Sequence, residues 1–255
     1  MQLGPGETTV SGTTVGGGDH ATNGCTGEAN TDDRVYSVTP TVSGFLTATL
    51  HRGDASYDSI LYALGNCLQP TSNIICHDQY TNTSPNGGGV ISFECVAGQP
   101  YTIVVDGWNG QTGTYTLTLD LSQGTCADPV PFTLYTGFSS SAIGNTVGEG
   151  NEAQSSVCGG GLSNDVVYEV TPGDPLGSIA LSVEASLVAG DTSYDAVLHA
   201  RSSCNDLASE LDCDRDTNPN NDEVINYNVM SVGPTFVWVD GVVASEGEYR
   251  LRFEP

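Results

Sequence analysis

The 255-residue sequence contains no lysine and only six arginines, two methionines and two tryptophans, against 31 acidic residues. Its formal net charge of -25 disfavours binding to nucleic acid or to an anionic membrane, because both interactions depend on basic side chains. The sequence also lacks an apolar run long enough to cross a bilayer and any extended stretch of helical apolar periodicity. We therefore expect no nucleic-acid partner, no transmembrane segment and little helix.

Glycine and cysteine are abundant by comparison. The 32 glycines and a hydrophobic content of 38% are typical of a turn-rich β protein. The eight cysteines show no repeated Cys-x-x-Cys metal pattern, so they predict an even set of disulfides, which form in an oxidising compartment. We expect a protein that is secreted or held at the cell surface.

One sequence pattern occurs twice, with matching residues about 133 positions apart. The paired motifs are Asp33-Arg34-Val35-Tyr36 with Asp165-Val166-Val167-Tyr168, Ser56-Tyr57-Asp58 with Ser193-Tyr194-Asp195, Val105-Asp106-Gly107 with Val239-Asp240-Gly241, and Gly113-Thr114-Tyr115 with Gly247-Glu248-Tyr249. Three cysteines repeat in the same order, Cys25, Cys67 and Cys76 with Cys158, Cys204 and Cys213. The collinear order predicts two tandem domains, residues 1–122 and 123–255.

Short runs of alternating apolar and polar residues, bounded by Gly, Pro, Asn and Asp, predict strands with one buried face. They are 8–10, 34–39, 45–50, 59–64, 90–96, 101–106 and 113–121 in the first copy, and 132–135, 166–171, 178–186, 196–201, 224–229, 235–240 and 248–254 in the second. About seven strands per copy are enough for two packed sheets. We predict an all-β fold of two antiparallel, jelly-roll-like β-sandwiches.

The order of D-x-V-Y, S-Y-D-x-x-L, a loop with two cysteines, V-D-G and G-x-Y-x-L resembles the bacterial pre-peptidase C-terminal domain, once in each copy. The resemblance implies small jelly-roll sandwiches of the kind appended to secreted peptidases and surface proteins. It implies binding to matrix or help in secretion, calcium binding in some members, and no catalytic activity. Because no peptidase accompanies the two copies, it favours a stand-alone surface protein.

The sequence offers no motif for catalysis, since His-Glu-x-x-His and G-x-S-x-G are both missing. We therefore expect no catalytic residue. The leading hypothesis is a secreted or cell-surface structural or adhesive protein, which assembles with itself or binds surface and matrix components and is stabilised by calcium. The alternative is a carbohydrate- or matrix-binding accessory module of a secreted hydrolase. For glycan binding Trp108 is the candidate residue, whereas Trp238 lies in a predicted strand that fits the core.

Two groups of carboxylates are candidate calcium ligands. In the second copy the acidic run 212–223 is similar in spacing to an EF-hand loop, and its candidates are Asp212, Asp214, Asp216 and Glu223. A solvated acidic loop between two strands explains the same run. Carboxylates at strand ends form the other group: Asp58, Asp106, Asp195 and Asp240. These either converge on a cation or close their own turns by accepting backbone amides.

The repeated positions also predict the disulfides. Cys67 with Cys76 and Cys204 with Cys213 close equivalent short loops in the two copies. Cys126 is then expected to pair with Cys158, which leaves Cys25 with Cys95.

Overall fold

A computed structural model describes residues 1–21, 31–54, 57–65, 72–78, 87–152, 154–161, 163–173, 180–215, 223–229 and 233–255. Within these ranges the chain is all-β and contains no α-helix. It forms two compact units, one made of Met1–Leu121 with Tyr135–Ser141 and the other of Ser122–Leu134 with Ala142–Pro255. The prediction of an all-β sandwich fold is confirmed.

The described residues of the first unit form nine strands. They are β1 (Gln2–Leu3), β2 (Gly6–Thr13), β3 (Arg34–Pro40), β4 (Gly44–Arg52), β5 (Ser59–Leu64), β6 (Asn73–His77), β7 (Gly87–Cys95), β8 (Tyr101–Gly107) and β9 (Thr114–Ser122). One sheet has the strand order β1-β3-β8-β5-β6. The other sheet contains β7, β4, β9 and β2 as neighbours in that order.

The second unit repeats this plan. Its strands are β10 (Val130–Leu134), β11 (Ser140–Asn145), β12 (Gln154–Ser155), β13 (Gly159–Gly160), β14 (Val166–Pro172), β15 (Leu181–Leu187), β16 (Ala196–Arg201), β17 (Glu210–Asp214), β18 (Val224–Val229), β19 (Thr235–Gly241) and β20 (Glu248–Glu254). The sheet orders are β10-β14-β19-β16-β17 and β18-β15-β20-β11, with β12 and β13 as a separate small hairpin.

The sequence predicts antiparallel pairing throughout, but the structure contains two parallel pairs of strands. In each unit the strand at one end of the five-stranded sheet runs parallel to its neighbour: β1 pairs with β3, and β10 with β14. A hairpin can join only antiparallel neighbours, so each of these strands must reach its partner through a longer connection.

The central strands are buried on both faces, whereas the alternating pattern predicted one buried face. Every residue of β5, β8 and β16 is buried. In the first unit loops cover the outer face of the sheet, where Tyr62 and Val104 pack with the half-buried Trp108. In the second unit Val167 and Trp238 pack there with Cys204. In the second unit the segments that carry Cys126 and Cys204 therefore lie on the outside of the five-stranded sheet.

A contact between tyrosine hydroxyls occurs in both units, part-buried in the first and buried in the second. The hydroxyls of Tyr36 and Tyr115 are 2.7 Å apart, and those of Tyr168 and Tyr249 are 2.9 Å apart. In each unit the tyrosine on the last strand is therefore paired with a second tyrosine. The pair links the D-x-V-Y strand to the G-x-Y-x-L strand, which explains why both motifs occur in each copy.

Candidate functional site

Two disulfides tie segments that precede β14 to the region around the β16–β17 hairpin. Cys126 is bonded to Cys204, and Cys158 to Cys213, with Cα atoms 5.7 and 6.1 Å apart. The predicted bonds Cys204–Cys213 and Cys126–Cys158 are therefore wrong. Cys204 packs with Cys126 against Trp238 on the outer face of the sheet. Cys213 instead lies on the edge strand β17.

The first unit also departs from the predicted cysteine pairing. Cys95 is a buried free thiol at the end of β7, so the predicted Cys25–Cys95 bond is wrong. Burial raises the pKa of the Cys95 thiol to about 12, which keeps it protonated and unreactive. Cys76 is disulfide-bonded. Cys25 and Cys67 lie outside the described residues, so the predicted Cys67–Cys76 bond stays a prediction.

Asp212 and Asp214 close one side of the second sandwich. Their carboxylates accept backbone N–H groups of the neighbouring edge strand β18, from Asn226 at 2.8 Å and from Val224 at 2.9 Å. Residues two apart on a strand point to the same side, so the alternation of acids along β17 brings both carboxylates to β18. These bonds satisfy amides that an edge strand would otherwise leave open.

The rest of the predicted EF-hand-like loop is only partly described. Glu223 is buried just before β18, and its carbonyl accepts the N–H of Leu187 at 3.0 Å. Asp216 lies outside the described residues. Within the described ranges, no three or more His, Cys, Asp or Glu side chains are arranged to hold a metal ion. Calcium binding by this loop remains a prediction.

Asp58 and Asp106 hold the turn after β8 in the first unit. Asp106 accepts the N–H of Gly107 at 2.7 Å, and the carbonyl of Asp58 accepts the N–H of Trp108 at 2.8 Å. Burial raises the pKa of Asp58 to about 6 and that of Asp106 to about 7. The nearby negative charge of Asp33 raises the pKa of Asp106 further.

Asp195 and Asp240 do the same in the second unit. Asp240 is fully buried and accepts two N–H groups, from Gly241 at 2.6 Å and from Gly161 at 3.0 Å. Burial raises its pKa to about 7, while these two hydrogen bonds act in the opposite direction. The carbonyl of Asp195 accepts the N–H of Val242 at 2.9 Å. The carboxylates of Asp106 and Asp240 close their own turns, whereas Asp58 and Asp195 accept N–H groups through their backbone carbonyls.

Neither tryptophan has a fully exposed ring face on which a sugar could stack. Trp238 is fully buried on β19, as expected for a core residue. Trp108, the candidate for ligand binding, is half-buried and packs against the cluster formed by Tyr62 and Val104. A binding role for Trp108 stays a prediction, and its observed contacts are structural.

A stacked group around Trp238 was not foreseen from the sequence. The ring of His199 lies parallel to that of Trp238 with centroids 5.7 Å apart, and the guanidinium of Arg201 lies 5.3 Å from the Trp238 ring centroid. His199 is fully buried, and no described group hydrogen-bonds to either of its ring nitrogens. Burial, helped by the positive charge of Arg201, lowers the pKa of His199 to about 3.

A surface groove of about 700 Å³ lies beside the Cys158–Cys213 disulfide. Its walls are the segment Ser156 to Cys158, the 3-10 turn Leu207–Ser209 with the residues beside it, and β17. The groove was not predictable from the sequence because the bond between Cys158 and Cys213 and the contacts of Ser156 with Glu210 bring distant segments together. An apolar residue within two positions of each cysteine, Val157 before Cys158 and Leu211 before Cys213, is the only sequence signal.

No protein-family model and no curated protein matches the chain. Among solved structures, the chain is similar to the pre-peptidase C-terminal domain of collagenase from Bacillus anthracis, with 13% identity and a TM-score of 0.33 over 49% of this chain and 96% of that one. It is also similar to the CUB1-EGF-CUB2 domains of rat MASP-1, with 9% identity and a TM-score of 0.24 over 100% and 99% of the two chains.

The part of the chain that the structure describes contains no helix with the length and hydropathy needed to span a bilayer.

Proposed function

We propose that this protein is a non-catalytic, extracellular structural or adhesive protein that acts through the contacts of its surface. The observation that carries this proposal is the pair of disulfides in the second unit, Cys126–Cys204 and Cys158–Cys213. Disulfides form and persist in oxidising compartments, and bridges that close long loops stabilise a fold by several kcal/mol. Such bracing suits a protein that must last outside the cell.

The buried ionisable groups support a structural role over a catalytic one. Asp106 and Asp240 accept N–H groups of their own turns, and Asp212 and Asp214 accept those of an edge strand. His199 is fully buried. A general acid or base must come within hydrogen-bond reach of its substrate, whereas the carboxylates of Asp106, Asp240 and Asp214 are engaged with backbone amides.

The carbohydrate-binding alternative has less support. Stacking of a sugar needs an accessible aromatic face. Of the two tryptophans, Trp238 is buried and Trp108 is half-buried against the core. We therefore place the structural or adhesive role first.

Sedimentation velocity of the full chain tests the proposal. The protein is run at rising concentrations in millimolar calcium, in the same concentration of magnesium, and in chelator. We expect assembly that grows with concentration and with calcium, because a divalent cation reduces the repulsion between molecules that each carry a charge of -25. A second arm measures cosedimentation with an insoluble extracellular-matrix preparation. A chain that stays monomeric in every buffer and does not cosediment would contradict the proposal.

The calcium part of the proposal is tested separately, by calorimetric titration. We expect wild type to bind with the weak affinity of extracellular modules, and Asp214→Ala and Asp216→Ala to reduce the heat. Equal heats in all three proteins, or no heat in any, would remove this loop as a calcium site and leave the structural role of Asp214.

A further inference from the structure

The groove beside the Cys158–Cys213 disulfide concentrates exposed apolar surface. Val157 is 83% exposed, Leu211 47% and Leu207 42%, and all three line the groove. The two leucines are the only exposed ones in the described ranges. Scattered exposed apolar side chains are normal on a soluble protein, but a contiguous group rimmed by polar residues marks an interaction site.

The walls of the groove are held in place before anything binds. The disulfide fixes the segment at Cys158 against β17. The N–H and the hydroxyl of Ser156 each donate to the carboxylate of Glu210, both at 2.8 Å. Asp206 caps the 3-10 turn that carries Leu207 by accepting the N–H of Ala208 at 2.9 Å. A preformed site loses little conformational entropy when it binds.

The charge around the groove is negative. Asp206, Glu210 and Asp212 line it together with the apolar side chains. Arg215 lies at one end and donates to the carbonyl of Cys158 at 3.4 Å. Three carboxylates against one guanidinium favour a cationic partner, since complementary charge guides association.

A second copy of this chain does not fit that requirement. Each molecule carries a net charge of -25 and has no lysine. Of its six arginines, Arg52 and Arg201 are buried, and Arg250 is paired with Asp191 at 2.8 Å. With six arginines against 31 acidic residues, a second copy is a poor source of positive charge, and a basic segment of a different protein fits the groove better.

We propose that this groove binds an extended segment of a partner protein in which aliphatic side chains alternate with lysine or arginine. The aliphatic side chains would cover Val157, Leu207 and Leu211, and the basic ones would face Asp206 and Asp212. This inference names a partner class for the adhesive role and rests on that proposed function, but it is tested by a different measurement.

The test is fluorescence polarisation of the full chain with a labelled synthetic peptide that alternates leucine and lysine. Two further peptides replace either all leucines with serine or all lysines with glutamate. The protein variants are Val157→Ser, which removes an exposed apolar contact, and Asp206→Asn, which removes one charge while keeping a residue that caps a turn. Val147→Ser is the matched control, because Val147 is 57% exposed and is not among the groove residues.

We expect the leucine-lysine peptide to bind, and Val157→Ser to weaken it about tenfold, the effect of losing one well-placed aliphatic contact. Asp206→Asn should weaken binding severalfold at low salt and less at high salt, and Val147→Ser should leave it unchanged. Serine-containing and glutamate-containing peptides should both bind poorly. Equal binding of the leucine and serine peptides, or equal binding by Val157→Ser and wild type, would show non-specific charge attraction and overturn the inference.

Sedimentation velocity of Val157→Ser tests whether the groove instead forms a contact between copies of this chain. If this variant loses self-association that wild type shows, the groove belongs to a contact between copies, and the inference of a basic partner is wrong. If peptide binding fails while assembly or matrix retention persists, the proposed function stands and only the partner class is refuted.

Discussion

Removal of the Cys158–Cys213 bond is the change that most directly tests the structure. The double variant Cys158→Ser/Cys213→Ser opens a loop with a sequence separation of 55. The chain-entropy relation assigns about 4 kcal/mol to a loop of this length. Because Cys126–Cys204 already restricts part of the same segment, we expect a loss of about 3 kcal/mol in the free energy of unfolding of the second unit.

Tryptophan fluorescence can report this unit alone. The chain has two tryptophans, one in each unit, so a Trp108→Phe background leaves Trp238 as the single probe. Urea unfolding of the double variant in this background should show a lower midpoint with a nearly unchanged slope. Cys95→Ala, which removes a thiol of the other unit, serves as the control and should leave the Trp238 transition in place.

The reasoning would be refuted by a loss below about 1 kcal/mol, which is too small for a bridge across this loop. It would equally be refuted by non-reducing peptide maps that join Cys204 to Cys213. That pairing closes a short loop, worth about 2.7 kcal/mol on the same relation, and would leave Cys158 and the groove wall untethered.

Three further predictions follow from the same structure. The Cys158–Cys213 bond of the second unit, aligned with the first copy, now favours a Cys25–Cys76 bond over the Cys67–Cys76 bond expected from loop length, and a non-reducing peptide map that joins Cys76 to Cys67 would contradict this. Asp214→Ala should cost about 1–2 kcal/mol and speed hydrogen exchange at the amide of Val224; unchanged exchange there would refute the edge-closing role. The pKa of His199 is about 3 in the folded state against 6.5 when unperturbed. The contribution of His199 to the free energy of unfolding is therefore complete above pH 6.5. It is lost as the pH falls toward 3, because the unfolded state binds a proton there that the folded state does not. His199→Leu should therefore flatten the acid side of the stability curve measured by urea unfolding, and an unaltered curve would contradict the burial of a neutral ring.

The positions of most strands were predictable because the sequence pattern that indicates a strand is local. The apolar alternation found strands such as Ala196–Arg201 with the bounds that the structure has. Very short or highly charged strands escaped, including Gln2–Leu3 and the acidic Glu210–Asp214. These lie at the ends of their sheets, where pairing with one neighbour replaces the apolar pattern as the determinant of structure.

The wrong disulfide pairing and the missed strand at the acidic run have a common cause. Cys204 and Cys213 are close in sequence, but the sheet places them with different partners. Asp212 and Asp214 have the two-residue spacing of a calcium loop, yet the same spacing puts both on one side of a strand. In each case the arrangement depends on the register of β17 rather than on nearness along the chain, and the sequence alone does not specify that register.

The Cys126–Cys204 bridge has a mechanical consequence for a protein that is pulled from its ends. Tension passes from Cys126 through the sulfur atoms to Cys204, so the residues between them, a separation of 78 positions, carry none of the load. Fully extended, that segment would span about 260 Å. In an oxidising medium this segment therefore cannot extend when the chain is pulled. Reduction of the disulfide would allow the chain to lengthen by that amount without being cut.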